Sequence, residues 1–192
     1  MDNQPQSTNE HSLSATLSLY WQAYGGWKAV VGSPFFWLSI ALMVLTCRFW
    51  LYGEWWDQVL SVMPNMLGFT LGGFAVFLGF GDEKFKAVIS GQDHHDPADS
   101  SPYMEVSATF LHFVLVQLIA ILFAVVAKAT DFTLPGYWAG LSQWLAQYRF
   151  IADALGYWLF LYGLCIVAAT AIAIFRVAFW YDSYQTVMRN QD

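Results

Sequence analysis

The chain has 192 residues, of which 57% are hydrophobic, 19% aromatic and only 11% charged, with a formal net charge of −6 at pH 7. A soluble domain carries about a quarter charged residues, and a water-soluble globule of this composition would expose large apolar patches. The acidic balance and the lack of a basic stripe also exclude nucleic acid as a direct ligand.

The opening segment, Met1 to Glu10, is polar and acidic, unlike the basic-then-apolar order of a secretory leader. From Ser12 to Val31, the residues Leu13, Leu17, Tyr20, Tyr24 and Trp27 recur at three-to-four spacing. This predicts a surface helix in the headgroup layer, weakened or bent at Gly25-Gly26. Residues 1–33 are thus an N-terminal segment with an interfacial helix, 34–181 a membrane domain and 182–192 a tail. Crossing the hydrocarbon takes about 20 apolar residues. Four stretches satisfy this, at about 34–52, 58–80, 107–127 and 156–181, the first opened by Pro34. Backbone groups cannot be left unpaired in lipid, so the expected fold is an all-α bundle of four membrane-spanning helices.

Between spans one and two, Gly53 to Asp57 reads as a tight hairpin, with Trp50, Tyr52, Trp55 and Trp56 forming an aromatic belt. Span two carries Pro64, which removes a backbone donor and predicts a kink near Met63, and Asn65, which can bond the freed backbone. Its Gly68, Gly72, Ala75 and Gly79 fall along one helix face. Small residues on one face let another backbone approach closely. That backbone can belong to the same protomer, to a second subunit, or to a ring around a narrow permeation path. A whole stripe predicts a homo-oligomer, cyclic or dihedral.

The loop from Gly81 to Tyr103 is the most polar part of the chain. Its Asp93-His94-His95-Asp96 run lacks the helical spacing or cysteine partner of a metal site, so no metal and no cofactor is expected. Span three opens with Glu105 and carries His112 and Gln117. An ionisable residue within a span is a functional candidate by default, and His112 has either a structural role or one in gating or pH response.

The third connection shows Leu134, Trp138, Leu141, Leu145, Tyr148, Ala152 and Leu155 on one stripe, which predicts an amphipathic helix lying on the outer leaflet. With Trp55 and Trp56, the tryptophans Trp138 and Trp144 would form an outer surface in contact with membrane lipids, and a sensing surface if the protein reports on the envelope. Arg48 and Arg176 lie near span ends, where their side chains snorkel to the interface. Cys47 and Cys165 lie within spans and read as small hydrophobes. Lys28, Lys84, Lys86, Arg176 and Arg189 fall on the side of the termini, against Arg48, Lys128 and Arg149 opposite, which places the termini and the 81–103 loop in the cytoplasm.

No catalytic order of residues stands out: there is no HExxH, no phosphate-binding glycine loop and no carboxylate cluster within a span. A non-enzymatic protein of this kind acts through contacts. On the cytoplasmic face Phe85 and Tyr184 are the expected apolar anchors for a cytosolic effector, with Lys84, Lys86 and Arg189 steering an acidic partner.

Four spans in a short chain, one cytoplasmic loop and the span-two sequence Met63-Pro-Asn-Met-Leu-Gly-Phe-Thr-Leu-Gly-Gly-Phe-Ala-Val-Phe-Leu-Gly-Phe-Gly81 resemble small membrane proteins of bacterial antiphage systems. Among these it is similar to the KwaA membrane subunits of the Kiwa system; the phage exclusion protein RexB shares the four-span plan but is shorter. The resemblance implies an oligomeric inner-membrane sensor or scaffold, a tetramer among the options, that docks a cytosolic effector. Two other readings stand beside it: a small ion channel or depolarising effector whose pore is lined by the span-two glycine face, and an accessory subunit of a transporter or envelope enzyme.

Overall fold

The computed structural model of the chain describes residues 13–79, 81, 83–91, 101–131 and 139–190, the last segment with its side chains from 148 onward. Among the described residues all regular structure is helical. The elements are α1 (Leu13–Tyr24), α2 (Gly26–Gly32), α3 (Pro34–Leu45), α4 (Cys47–Tyr52), α5 (Trp55–Gly79), α6 (Glu83–Ser90), α7 (Pro102–Ala129) and α8 (Ala139–Arg189). Three of them, α5, α7 and the 148–189 part of α8, are long and apolar enough to cross a membrane. A fourth span results if α2 and α3, bent by 56°, count as one. This is an all-α bundle, and it fits a multi-pass membrane protein.

Local chemistry explains the boundaries. Ser101 caps α7, its hydroxyl accepting from the Met104 N–H at 3.3 Å, and Pro102 follows at the first helical position, where its missing donor costs nothing. Gly25 stands at φ 91°, the left-handed region that glycine enters freely, and ends α1. The predicted first span, 34–52, is two helices rather than one. The helical dihedrals lapse at Thr46, at φ −98° and ψ 18°, although both its N–H and its hydroxyl still donate to the Leu42 carbonyl, at 2.9 and 2.7 Å. α5 passes Pro64 without a break.

The predicted helix on the outer leaflet is corrected. Its part from Ala139 onward is continuous with span four in one 51-residue α8, while Leu134 to Trp138 lie outside the described residues. Gly156 is the one helix-weakening residue near the junction. A single glycine costs about 1 kcal/mol, too little to end a helix held on both sides.

α7 is the centre of the bundle, meeting α5, α8, α1 and α6, while α3 and α4 lie on α8. At one end, here the tryptophan end, Trp50, Trp55, Trp56, Val59 and Met63 pack with Ala124 and Phe160. At the other, the α6 end, Phe77, Val106, Phe110 and Val177 form a second cluster. Two glycines of α8 make room for side chains of α5. A Cβ on Gly156 would lie 2.5 Å from Trp55 Cη2, and one on Gly163 would lie 2.8 Å from Met63 Cε. On α5 itself, Gly73 rather than the predicted stripe is in contact: a Cβ there would meet Ile174 Cδ1 at 3.3 Å.

Candidate functional site

Polar side chains inside a bilayer are costly unless they find partners, so their placement marks where this chain holds something other than packing. Among the described residues no buried side-chain nitrogen or oxygen lacks a hydrogen-bond partner. His112 has the most elaborate surroundings. It lies ten residues into α7, about 15 Å along the axis. Its Nδ1 is 2.8 Å from the Tyr20 hydroxyl on α1, and its Nε2 is 3.3 Å from the Tyr162 hydroxyl on α8. The Tyr24 ring stacks on the imidazole with centroids 4.0 Å apart and planes 17° from parallel.

Each ring nitrogen therefore has one hydroxyl partner, which satisfies the neutral imidazole in either tautomer. Burial, and after it the neighbouring Tyr24, pushes the Tyr20 hydroxyl up to about 12, so it stays protonated. The N-terminal helix is thus clamped to the middle of α7 through Tyr20 and Tyr24. Of the amphipathic stripe predicted for the headgroup layer, those two turn into the bundle while Leu13, Leu17 and Trp27 stay exposed. The i, i+4 spacing of the two tyrosines was visible in the sequence; their partner was not.

Two further polar ties cross between helices. Gln117 Nε2 donates to Thr70 Oγ1 at 3.0 Å, joining α7 to α5, and Thr70 in turn donates to the Met66 carbonyl at 3.0 Å. Trp158 Nε1 donates to Ser39 Oγ at 3.1 Å, joining α8 to α3. Gln117, Thr70 and Ser39 are all fully buried.

At the tryptophan end the indole N–H of Trp55 donates to Asp153 Oδ1 at 3.1 Å, and Arg149 pairs with Asp131 and, at 3.6 Å, with Asp153. The Arg149 guanidinium also lies 5.7 Å from the centre of the Trp56 ring. Trp55 and Trp56 are consequently buried, not an open sensing surface. Trp138 lies outside the described residues, as does the side chain of Trp144.

At the α6 end the predicted docking anchor Phe85 is corrected. It is 1% exposed, edge-on to Tyr181 at 5.0 Å and against Tyr184 at 5.6 Å, so it ties α6 to α8 instead of awaiting a partner. Gly81, at φ 82°, makes room for it: a Cβ there would lie 2.6 Å from Phe85 Cδ1. Lys86 Nζ donates to the Leu78 carbonyl at 3.0 Å, capping the last turn of α5. Lys84 and Arg189 are exposed, and the exposed apolar residues beside them are Val88, Val187 and Met188.

The span-two stripe points the other way. Gly68, Gly72 and Gly79 have nothing within 4 Å of a built Cβ, and Ala75 is exposed, so this face does not pack within the chain. Pro64, Asn65 and Ser61 lie on the same exposed side. The Asn65 amide donates to the Ser61 carbonyl at 3.4 Å, one residue beyond Leu60, whose carbonyl Pro64 frees. The Asp93-His94-His95-Asp96 run lies outside the described residues. No protein family, no curated protein and no solved structure matches the chain.

Proposed function

We propose that the protein is a non-enzymatic sensor or scaffold subunit of a bacterial antiphage defence system. In this reading it sits in the inner membrane with its termini and α6 in the cytoplasm, and assembles as a homo-oligomer. It responds to disturbance at its tryptophan end and controls a cytosolic effector at its α6 end. It needs neither metal nor cofactor. The observation that carries the reading is α8. One unbroken helix bears Asp153 and Arg149 in the polar cluster at one end, and Tyr181 and Tyr184 against Phe85 at the other. A shift of the tryptophan cluster therefore moves the residues that seat α6. The resemblance of span two to Kiwa membrane subunits supports the defence setting, and the Lys/Arg asymmetry supports the orientation.

The output surface in this reading is Val88, Val187 and Met188, flanked by Lys84 and Arg189, because Phe85 is used internally. Replacing Val88 and Met188 by Glu in the native locus should leave membrane insertion and protein level unchanged. Protection in a plaque assay should fall to that of a deletion. Full protection in that variant would remove the α6 end as the output surface.

One observation favours a second reading, an oligomeric ion path. The outward face of α5 combines Ser61 and Asn65 with Gly68 and Gly72, and polar groups facing lipid are costly unless a neighbour covers them. Ion flux into liposomes carrying the purified protein separates the two: flux abolished by Asn65→Leu supports the channel, and tight vesicles support the sensor.

A further inference from the structure

The first helix is held lightly. None of the residues of α1 is buried, and beyond its neighbour α2 it packs on α7. Leu13, Leu17 and Leu19 stay exposed. Its C-terminal end is Gly25-Gly26, with φ at 91° and 59°, a pair of left-handed glycines that can act as a hinge to α2. The seat of α1 is the imidazole of His112, which meets Tyr20 by a hydrogen bond and Tyr24 by stacking.

Three hydroxyl-bearing rings face that imidazole, Tyr20 and Tyr24 from α1 and Tyr162 from α8, with Phe113 of α7 as the remaining ring contact. Among the described residues no carboxylate lies within 4 Å of it, and no ionisable side chain of α3, α5 or α6 makes a hydrogen bond or ring contact with it. Glu105, the one carboxylate of α7, is seven residues away, about 10 Å along the axis. Burial raises the Tyr20 and Tyr24 hydroxyls above their ordinary value, so neither supplies a phenolate. The site is built for a neutral ring, in which one nitrogen accepts a hydroxyl proton whichever tautomer is present. A proton on that nitrogen turns the facing hydroxyl from donor to acceptor and sets a cation against no counter-charge. Stacking on Tyr24 offsets part of this cost; water reaching the ring once α1 is away offsets more.

We infer that α1 is an acid-released strap, docked while His112 is neutral and swung out on the Gly25-Gly26 hinge when His112 takes up a proton. Release bares the imidazole and frees it from Tyr20 and Tyr24, and the remaining bond to Tyr162 then joins α7 to α8 in contact with water. The inference is independent of the sensor reading, since it needs only the clamp. The sign follows from linkage: the released form binds the proton, so docking is strongest above the ordinary imidazole value of about 6.5. Each pH unit below that value should raise the ratio of released to docked chains by up to about tenfold.

Spin labels on Leu17→Cys in α1 and Leu118→Cys in α7, in the full chain carrying Cys47→Ala and Cys165→Ala, test it through the label-to-label distance in mild detergent. One narrow distance is expected at pH 8, and a second, longer and broader one at pH 5. His112→Gln keeps hydrogen-bonding capacity but takes no proton in this range, and should hold the narrow distance at both pH values. Tyr20→Phe with Tyr24→Ala should give the broad distance at both. Where thermal unfolding shows that His112→Gln does not fold, His112→Phe replaces it, keeping the ring stack without a nitrogen. A distance unchanged from pH 8 to pH 5 in the protein with His112 intact overturns the inference, as does a pH response that persists in a folded His112 variant.

Discussion

Substituting Gly156 by alanine adds one methyl group at the tightest point between α5 and α8. The new carbon would lie 2.5 Å from Trp55 Cη2 and 3.1 Å from Cζ2. The indole is rigid, buried, tied to Asp153 through its N–H and packed against Trp56 and Tyr157, so it cannot retract without breaking those contacts. Overpacking of this kind costs about 1–3 kcal/mol, against which alanine recovers up to about 1 kcal/mol of helix propensity. The expected net loss is about 1–2 kcal/mol. The same substitution at Gly163 meets the terminal methyl of Met63 at 2.8 Å, a flexible end that can turn aside, and should be close to neutral. At Gly72, with nothing within 4 Å, alanine should stabilise the protomer by up to about 1 kcal/mol. Reversible unfolding in mixed detergent micelles, followed by tryptophan fluorescence, measures all three. Combining Gly156→Ala with Trp55→Phe, which removes the clashing carbons, should show a favourable coupling of about 1 kcal/mol in a double-mutant cycle. A loss at Gly72 equal to that at Gly156 would refute the assignment of close packing to α8.

Thr70→Val alone leaves the buried Gln117 amide without its partner and should cost about 1–3 kcal/mol. The Thr70→Val/Gln117→Leu double variant should cost less than the sum of the singles, read from the same unfolding titration. Removing the tyrosines of the clamp, Tyr20→Phe with Tyr24→Ala, should free α1 while leaving α5, α7 and α8 in place. Faster hydrogen exchange confined to 13–24 is the expected signature, and unchanged protection there would mean other contacts hold α1. Gly72→Leu should not destabilise the protomer, since leucine too gains helix propensity over glycine, yet should dissociate the proposed oligomer; an unchanged assembly in size-exclusion chromatography with light scattering would show that the stripe is not the subunit seam. Cysteines placed at Ser90 and Gln143 report orientation: labelling of position 143 but not 90 from outside spheroplasts is expected, and the reverse would invert the topology.

The fold class was legible because lipid leaves the backbone few choices, and α7 was legible from its apolar run, although it starts at Pro102, ahead of the expected 107. The break in span one was not, since Thr46 barely lowers hydropathy and threonines with the same back-bond, such as Thr70 and Thr170, sit inside unbroken helices. For α5, the sequence defines a small-residue face, but not what stands opposite it. The tight partners turned out to be Gly156 and Gly163, seven residues apart, whose significance depends on Trp55 and Met63 reaching them. Phe85 looked available because it is surrounded by Glu83, Lys84 and Lys86. Its burial is caused by Tyr181 and Tyr184, distant in the chain and brought close by the return of α8. His112 was recognisable as unusual, yet its tyrosine partners on α1 and α8 are products of tertiary packing.

The continuity of α8 has a geometric corollary. An α-helix advances by about 100° per residue, so a rod without a hinge locks its two ends in rotational phase. Inserting one residue between Asp153 and Tyr181 would turn the Asp153 and Arg149 side chains by about 100° relative to Tyr181 and Tyr184, setting the contacts of the two ends against each other. Seven inserted residues would nearly restore the phase while lengthening the rod by about 10 Å. A protein that conveys information by twist should tolerate the second change better than the first, whereas one that conveys it by length should show the opposite order.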